Sequence, residues 1–171
     1  MPQKQTIARA KEDKRQGKSA STQAGEFVKE QMHRIRAGEH GARSTKQAIA
    51  IGLSEARRAG VKASPGKNAS AATRHKAEQD TQAAEHGTSG SKETHARRAA
   101  ARKRVLKRES TRAASTSELS KHARSSAHKR TAADRSAAAR KGAETKGAAG
   151  RSAAAKKAAR TRAANAAARR H

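Results

Sequence analysis

Along most of this chain large apolar side chains stand alone, but between residues 21 and 61 they recur at helical spacing. In AGEFVKEQMHRIRAG, Ala24, Phe27/Val28, Met32 and Ile35 follow one another at three- and four-residue steps, the repeat of one helix face. Ser21 or Thr22 is placed to cap the start, and Gly38 to supply a left-handed stop. After the polar link 39–43, Ser44 with Gln47 three residues on reads as a capping box. A second helix then runs through Ala48, Ile49, Leu53 and Ala56, with Ile51 slightly off the stripe. It closes at Arg57-Arg58-Ala59-Gly60, where basic residues meet the negative end of the helix dipole and Val61 is set to pack against the stop. The pattern predicts a helix–turn–helix hairpin over 21–61. At about 40 residues it is near the lower limit of independent stability, so a dimer or a partner is expected to complete its core.

Elsewhere the pattern is polar. Residues 1–20 read as a flexible basic arm with transient helix at Thr6–Gln16. Residues 62–90 read as a linker, with a weak helix from Ser70 to Glu85 that has nothing to bury. Of the Val, Ile, Leu, Met and Phe residues, ten lie up to Lys62 and three (Val105, Leu106, Leu119) in the remaining 109 residues. Three such side chains do not offset a backbone ordering entropy of about 1–2 kcal/mol per residue. The tail, 91–171, is therefore expected to have no core of its own. It carries a short internal repeat, RSAAARKGA at 135–143 and RSAAAKKAA at 151–159, and Gly142, Gly147 and Gly150 are expected to break the helix between. The expected fold class is all-α: a small hairpin followed by long basic segments that are largely disordered or conditionally helical.

Charge changes the picture most. Lys and Arg number 41 against 14 Asp and Glu, a net +27. Up to Lys62 there are 14 basic and 6 acidic residues (+8), and beyond it 27 and 8 (+19). A field of that sign draws polyanions, nucleic acid first and anionic membrane second. The densest run is Arg97, Arg98, Arg102, Lys103, Arg104, Lys107 and Arg108, in a segment of high helix propensity. On a helix it presents cations on several faces, suited to phosphates on both walls of a groove. Arg43, Lys46, Arg57 and Arg58 are the candidates on the hairpin. The chain has one aromatic residue, Phe27, on the expected core face, so base stacking is not anticipated.

Other chemistry finds little footing. With no cysteine there is no disulfide, thiolate metal site or cysteine nucleophile. Eight histidines form no HxxxH or HExxH pair and read as solvated, so neither metal nor cofactor is expected. Gly38-Glu39-His40-Gly41 resembles the GxxG loops that approach phosphate, with the helix from Ser44 offering free N–H groups and Arg43 and Lys46 flanking; its rival reading is a helix stop followed by an ordinary turn. No catalytic residue, small-molecule substrate, secretory signal or membrane insertion is expected.

The stretch TQAGEFVKEQMHRIRAGEHGARSTKQAIAIGLSEARRAGVK resembles the conserved block of an uncharacterised bacterial family of small basic proteins. The C-terminal part, with AAARKG and KGAAGRSAAAKKAARTRAANAAARR, resembles the Ala/Lys-rich tails of linker histones and bacterial histone-like proteins. The resemblance implies a bacterial source, and no functional residue. The expectation is a non-enzymatic, sequence-independent DNA-backbone binder of the bacterial nucleoid, in the cytoplasm. The alternatives are an RNA- or ribosome-associated protein and a disordered stress protectant.

Overall fold

The computed structural model describes residues 3–66, 69–86 and 92–168. Among these there are seven α-helices and no strand: α1 (Lys4–Arg15), α2 (Ala20–Arg36), α3 (Thr45–Arg58), α4 (Ala71–Glu85), α5 (Lys92–Arg108), α6 (Thr116–His128) and α7 (Ala132–Ala168), with a 3-10 turn at Thr111–Ala114. The expected linker–tail junction at residues 90 and 91 lies outside the described residues. The chain divides into two compact units, Met1–His122 and Ala123–His171, with the boundary inside α6.

In the first unit α2 and α3 form the centre. Phe27, Gln31 and Ile35 of α2 are fully buried, at the four-residue step the sequence showed. The helix starts two or three residues earlier than expected, since Ser19 and not Ser21 or Thr22 accepts the capping bond, from the Thr22 N–H. Gly38 takes φ +76 and lets its own N–H reach the Ile35 carbonyl, closing α2. Ser44 caps α3 by accepting from the Gln47 N–H at 3.2 Å, and the Gln47 side chain accepts from the Arg43 N–H at 2.7 Å. At the far end Gly60 (φ +85) turns the chain and the Val61 N–H reaches the Ala56 carbonyl, with Val61 buried.

The face of α3 toward α2 is made of small residues: Ala48, Gly52 and Ala56, each four apart, are all buried. A Cβ on Gly52 would stand 2.7 Å from the Val28 Cα, so the two helices meet backbone to backbone there. This close approach lets alanine do the packing that larger side chains do elsewhere.

Three segments expected to stay apart from the hairpin cover it. The N-terminal arm is α1, which buries Thr6 and Ala10, and its Gln3 N–H donates to the Glu30 carboxylate of α2 at 3.0 Å. That places a carboxylate at the positive end of α1. The weak helix expected in the linker is α4, and it does bury something: Ala77 and Asp80. Asp80 accepts from the Ser54 hydroxyl at 2.7 Å and from Arg58 and Lys76 at 2.9 and 3.1 Å, clamping α4 to α3. Burial by itself raises the Asp80 carboxyl, but the hydrogen bonds from Ser54, Lys76 and Arg58 outweigh it and hold the group below its ordinary value. Finally, Ala113, Ala114 and Leu119 of the expected tail join Met32, Ile35, Ala42 and Ala48 in one cluster. The hairpin core is thus completed from within the same chain.

The second unit contains α7, in which no residue is buried. Of its three glycines only Gly147 leaves helical geometry (φ 64, ψ 176), dividing α7 into two helical arms that each carry one copy of the RSAAA repeat. Gly142 and Gly150 remain helical.

Candidate nucleic-acid interface

Alanine, arginine and lysine are strong helix formers, and α5 is built almost wholly from them. Arg97, Arg98, Arg102, Lys103, Arg104, Lys107 and Arg108 all lie on it, and all seven are exposed. At about 100° per residue Arg97, Arg104 and Arg108 share one face, Arg98 and Arg102 a second, and Lys103 and Lys107 a third. Val105 is 58% exposed among them, so this helix buries no apolar stripe of its own.

What fixes α5 is its C-terminal end. The Leu106 carbonyl accepts from the Gly41 N–H at 2.8 Å, and the Ser110 carbonyl from the Ala42 N–H at 3.1 Å. Further on, Thr45 Oγ1 donates to the Ala113 carbonyl at 2.7 Å and Arg36 Nε to the Ala114 carbonyl at 2.9 Å. Because these bonds use backbone groups on the tail side, they impose little side-chain requirement there. That is why sequence patterning gave no sign of the docking.

Exposed cations adjoin this junction from the hairpin side. Arg43 follows Ala42 directly and Lys46 follows Thr45, so both exposed cations flank the contact that pins α5. Arg112, which sequence reasoning passed over, is also exposed on the 3-10 turn at this junction. The Lys121 hydrogen bond, with Lys121 and Arg112 charge behind it, holds the Glu118 carboxyl below its ordinary value, a sign of the local positive field.

Two hairpin candidates are placed differently. Arg57 is buried and its Nε donates to the Ala63 carbonyl at 2.8 Å, so its guanidinium closes the chain after α3. Arg58 is engaged with Asp80. The loop Gly38–Gly41 departs from the phosphate-loop reading as well. A Cβ on Gly41 would overlap the Glu109 carbonyl, so the space a phosphate would use at this glycine is filled by the chain itself. His40, expected among solvated histidines, is buried and bonded on both ring nitrogens. Among the described residues no group of three or more His, Cys, Asp or Glu is arranged to hold a metal ion. Nor is any helix there long and apolar enough to cross a membrane.

Residues 15–67 match a family of unknown function (DUF6496). This agrees with the resemblance of the 22–62 block to an uncharacterised family, and it takes in α2, α3 and the loop between them. The basic helix α5 lies beyond the matched residues. No curated protein and no solved structure matches the chain.

Proposed function

We propose that this chain is a non-enzymatic, nucleoid-associated protein of the bacterial cytoplasm that binds duplex DNA along its phosphate backbone without reading sequence, in a histone-like manner. The observation that carries this reading is the exposed seven-cation helix α5, pinned by backbone hydrogen bonds to a folded unit whose loop adds Arg43 and Lys46. Binding by such a surface is driven by release of counterions from the phosphates. Phe27, the one Phe, Trp or Tyr residue, is fully buried, so no large aromatic platform is offered to unpaired bases, which favours backbone contact over single-strand recognition.

The two units divide the work. Residues 123–171 hold 14 basic and 2 acidic residues and bury nothing in α7, so their helix is the conditional part, stabilised when phosphates neutralise it. Residues 1–122 supply the fixed platform. A titration of duplex DNA across salt tests the reading: log K falls linearly with log[salt], by about 0.9 per phosphate neutralised. A flat dependence, or no binding at low salt, overturns it. Competition with structured RNA in the same assay separates DNA from an RNA- or ribosome-associated role, which wins if RNA displaces DNA at equal phosphate concentration.

A further inference from the structure

Three side chains between α2, α3 and the loop after α2 form a continuous hydrogen-bonded line. The Gln31 amide, 1% exposed, faces Glu55 Oε2 through its nitrogen at 2.6 Å and His40 Nε2 through its oxygen at 3.1 Å. On the other side of the ring, His40 Nδ1 lies 3.0 Å from the Gly41 carbonyl oxygen.

An amide donates at one end and accepts at the other, and this ties the two titratable groups together. An ionised Glu55 only accepts, so the Gln31 NH2 must face it and the amide oxygen must face His40. His40 Nε2 then has to donate, and so does Nδ1, because a carbonyl only accepts. The ring is an imidazolium in that arrangement. With the amide turned over, a protonated Glu55 donates to the amide oxygen and the NH2 donates to a bare Nε2, while Nδ1 keeps its hydrogen. Both arrangements hold the same number of protons and satisfy every bond. In one the pair is fully charged and in the other fully neutral. Taking one proton away leaves an ionised carboxylate with a neutral ring, and a ring nitrogen without hydrogen then faces an oxygen. One bond of the line is lost.

The peptide group between Gly41 and Ala42 links this line to the basic helix. Its carbonyl accepts from His40, and its N–H donates to the Ser110 carbonyl, beside the Gly41 N–H bond to Leu106. We propose that Glu55, Gln31 and His40 form a partly buried proton-binding site that latches the end of α5 onto the hairpin. Loss of the shared proton loosens the Gly41–Ala42 contact. Insofar as the latch governs nucleic-acid affinity, it rests on the reading of α5 given above; as a proton-linked contact it stands without it.

The charged surroundings are mixed. Glu30 and Arg34 approach from α2, with Glu39 of the same loop paired to Arg34 at 2.8 Å, and Glu109 follows the end of α5 beside Gly41. Burial raises the Glu55 carboxyl above its ordinary value, against the Gln31 hydrogen bond and the Arg34 charge, with Glu30 adding to the rise.

The test uses the full chain in the absence of nucleic acid, so its outcome is independent of whether DNA binds. Side-chain NMR follows the His40 ring and the Glu55 carboxyl across pH, while amide exchange follows protection at Gly41 and Ala42. In the wild type, protection of these two amides falls about tenfold as pH rises and the site gives up its proton. The substitution Glu55→Gln removes the carboxylate from the line and moves the pH at which this protection falls. Gln31→Met uncouples the two groups, so that each titrates alone. The proposal is overturned if Gly41 and Ala42 protection is constant across pH, or if Glu55→Gln leaves the pH dependence of that protection unchanged. The wild-type measurement decides the matter even if a variant does not fold.

Discussion

The Glu109 carbonyl occupies the place where a Cβ on Gly41 would stand, while the Gly41 N–H donates to Leu106 one turn earlier. Gly41 therefore works by being small, in contrast to Gly38, which has open space around it and a left-handed φ of +76. Gly41→Ala should destabilise the first unit by about 2–4 kcal/mol through steric overlap. Gly38→Ala should cost about 1–2 kcal/mol through backbone strain alone. Thermal unfolding gives the magnitudes, and amide exchange at Ala42 separates them, since protection there drops only in the Gly41 variant.

Gly52 faces the Val28 backbone across the closest approach of α2 and α3. An added methyl group has to push the helices apart, and Gly52→Ala should cost about 1–3 kcal/mol despite the better helix propensity of alanine. Stabilisation by this substitution, read in a denaturant titration, would show that the helices are less tightly apposed than described.

Acid should act on the first unit through Asp80. Its folded-state value lies below the ordinary one, so its contribution is present above the unfolded carboxylate value and lost as pH falls through the folded value. Glu55 has the opposite sign: its raised value attaches stability to the protonated form, lost as pH rises through that value. The variant Asp80→Asn should therefore lower the melting temperature at neutral pH, by an amount corresponding to about 1–3 kcal/mol, and flatten the fall in stability on acidification. Equal acid sensitivity in variant and wild type would sink this assignment.

Neutralising part of α5 separates binding from folding. The triple change Arg102→Gln, Lys103→Gln and Arg104→Gln removes three exposed cations. It should reduce the salt slope of DNA binding by about 0.9 for each cation in phosphate contact. The melting temperature should hardly move. The same change made at Arg57 should instead unfold α3 from the segment after it, because that side chain is buried on the Ala63 carbonyl.

In α7, Gly147→Ala places a residue that disfavours the φ of 64 seen there. The two arms should join into one helix, favoured by about 1 kcal/mol over glycine. Far-ultraviolet dichroism should show increased helix at low salt and a smaller gain on adding polyanion than in the wild type.

The two central helices were legible because their apolar residues keep a helical repeat and their ends carry Ser44, Gly38 and Gly60. The rest of the first unit was not, for a physical reason. Counting large side chains treats Ala77, Ala113 and Ala114 as neutral, yet each is buried. Asp80 and Gln31 are buried by virtue of partners on other helices, which a linear pattern does not reveal. The charge run on α5 was plain from the sequence. The attachment of its C-terminal end to the hairpin depends on backbone bonds from Gly41 and Ala42, to which no side-chain signal corresponds.

Phe27 is the only aromatic residue, it is sealed in the core, and there is neither tryptophan nor tyrosine. The protein is therefore nearly transparent in the near ultraviolet, where nucleobases absorb strongly. Any such absorbance that travels with the purified chain belongs to its cargo, and the molecule's own optical silence makes it a built-in reporter of what it carries.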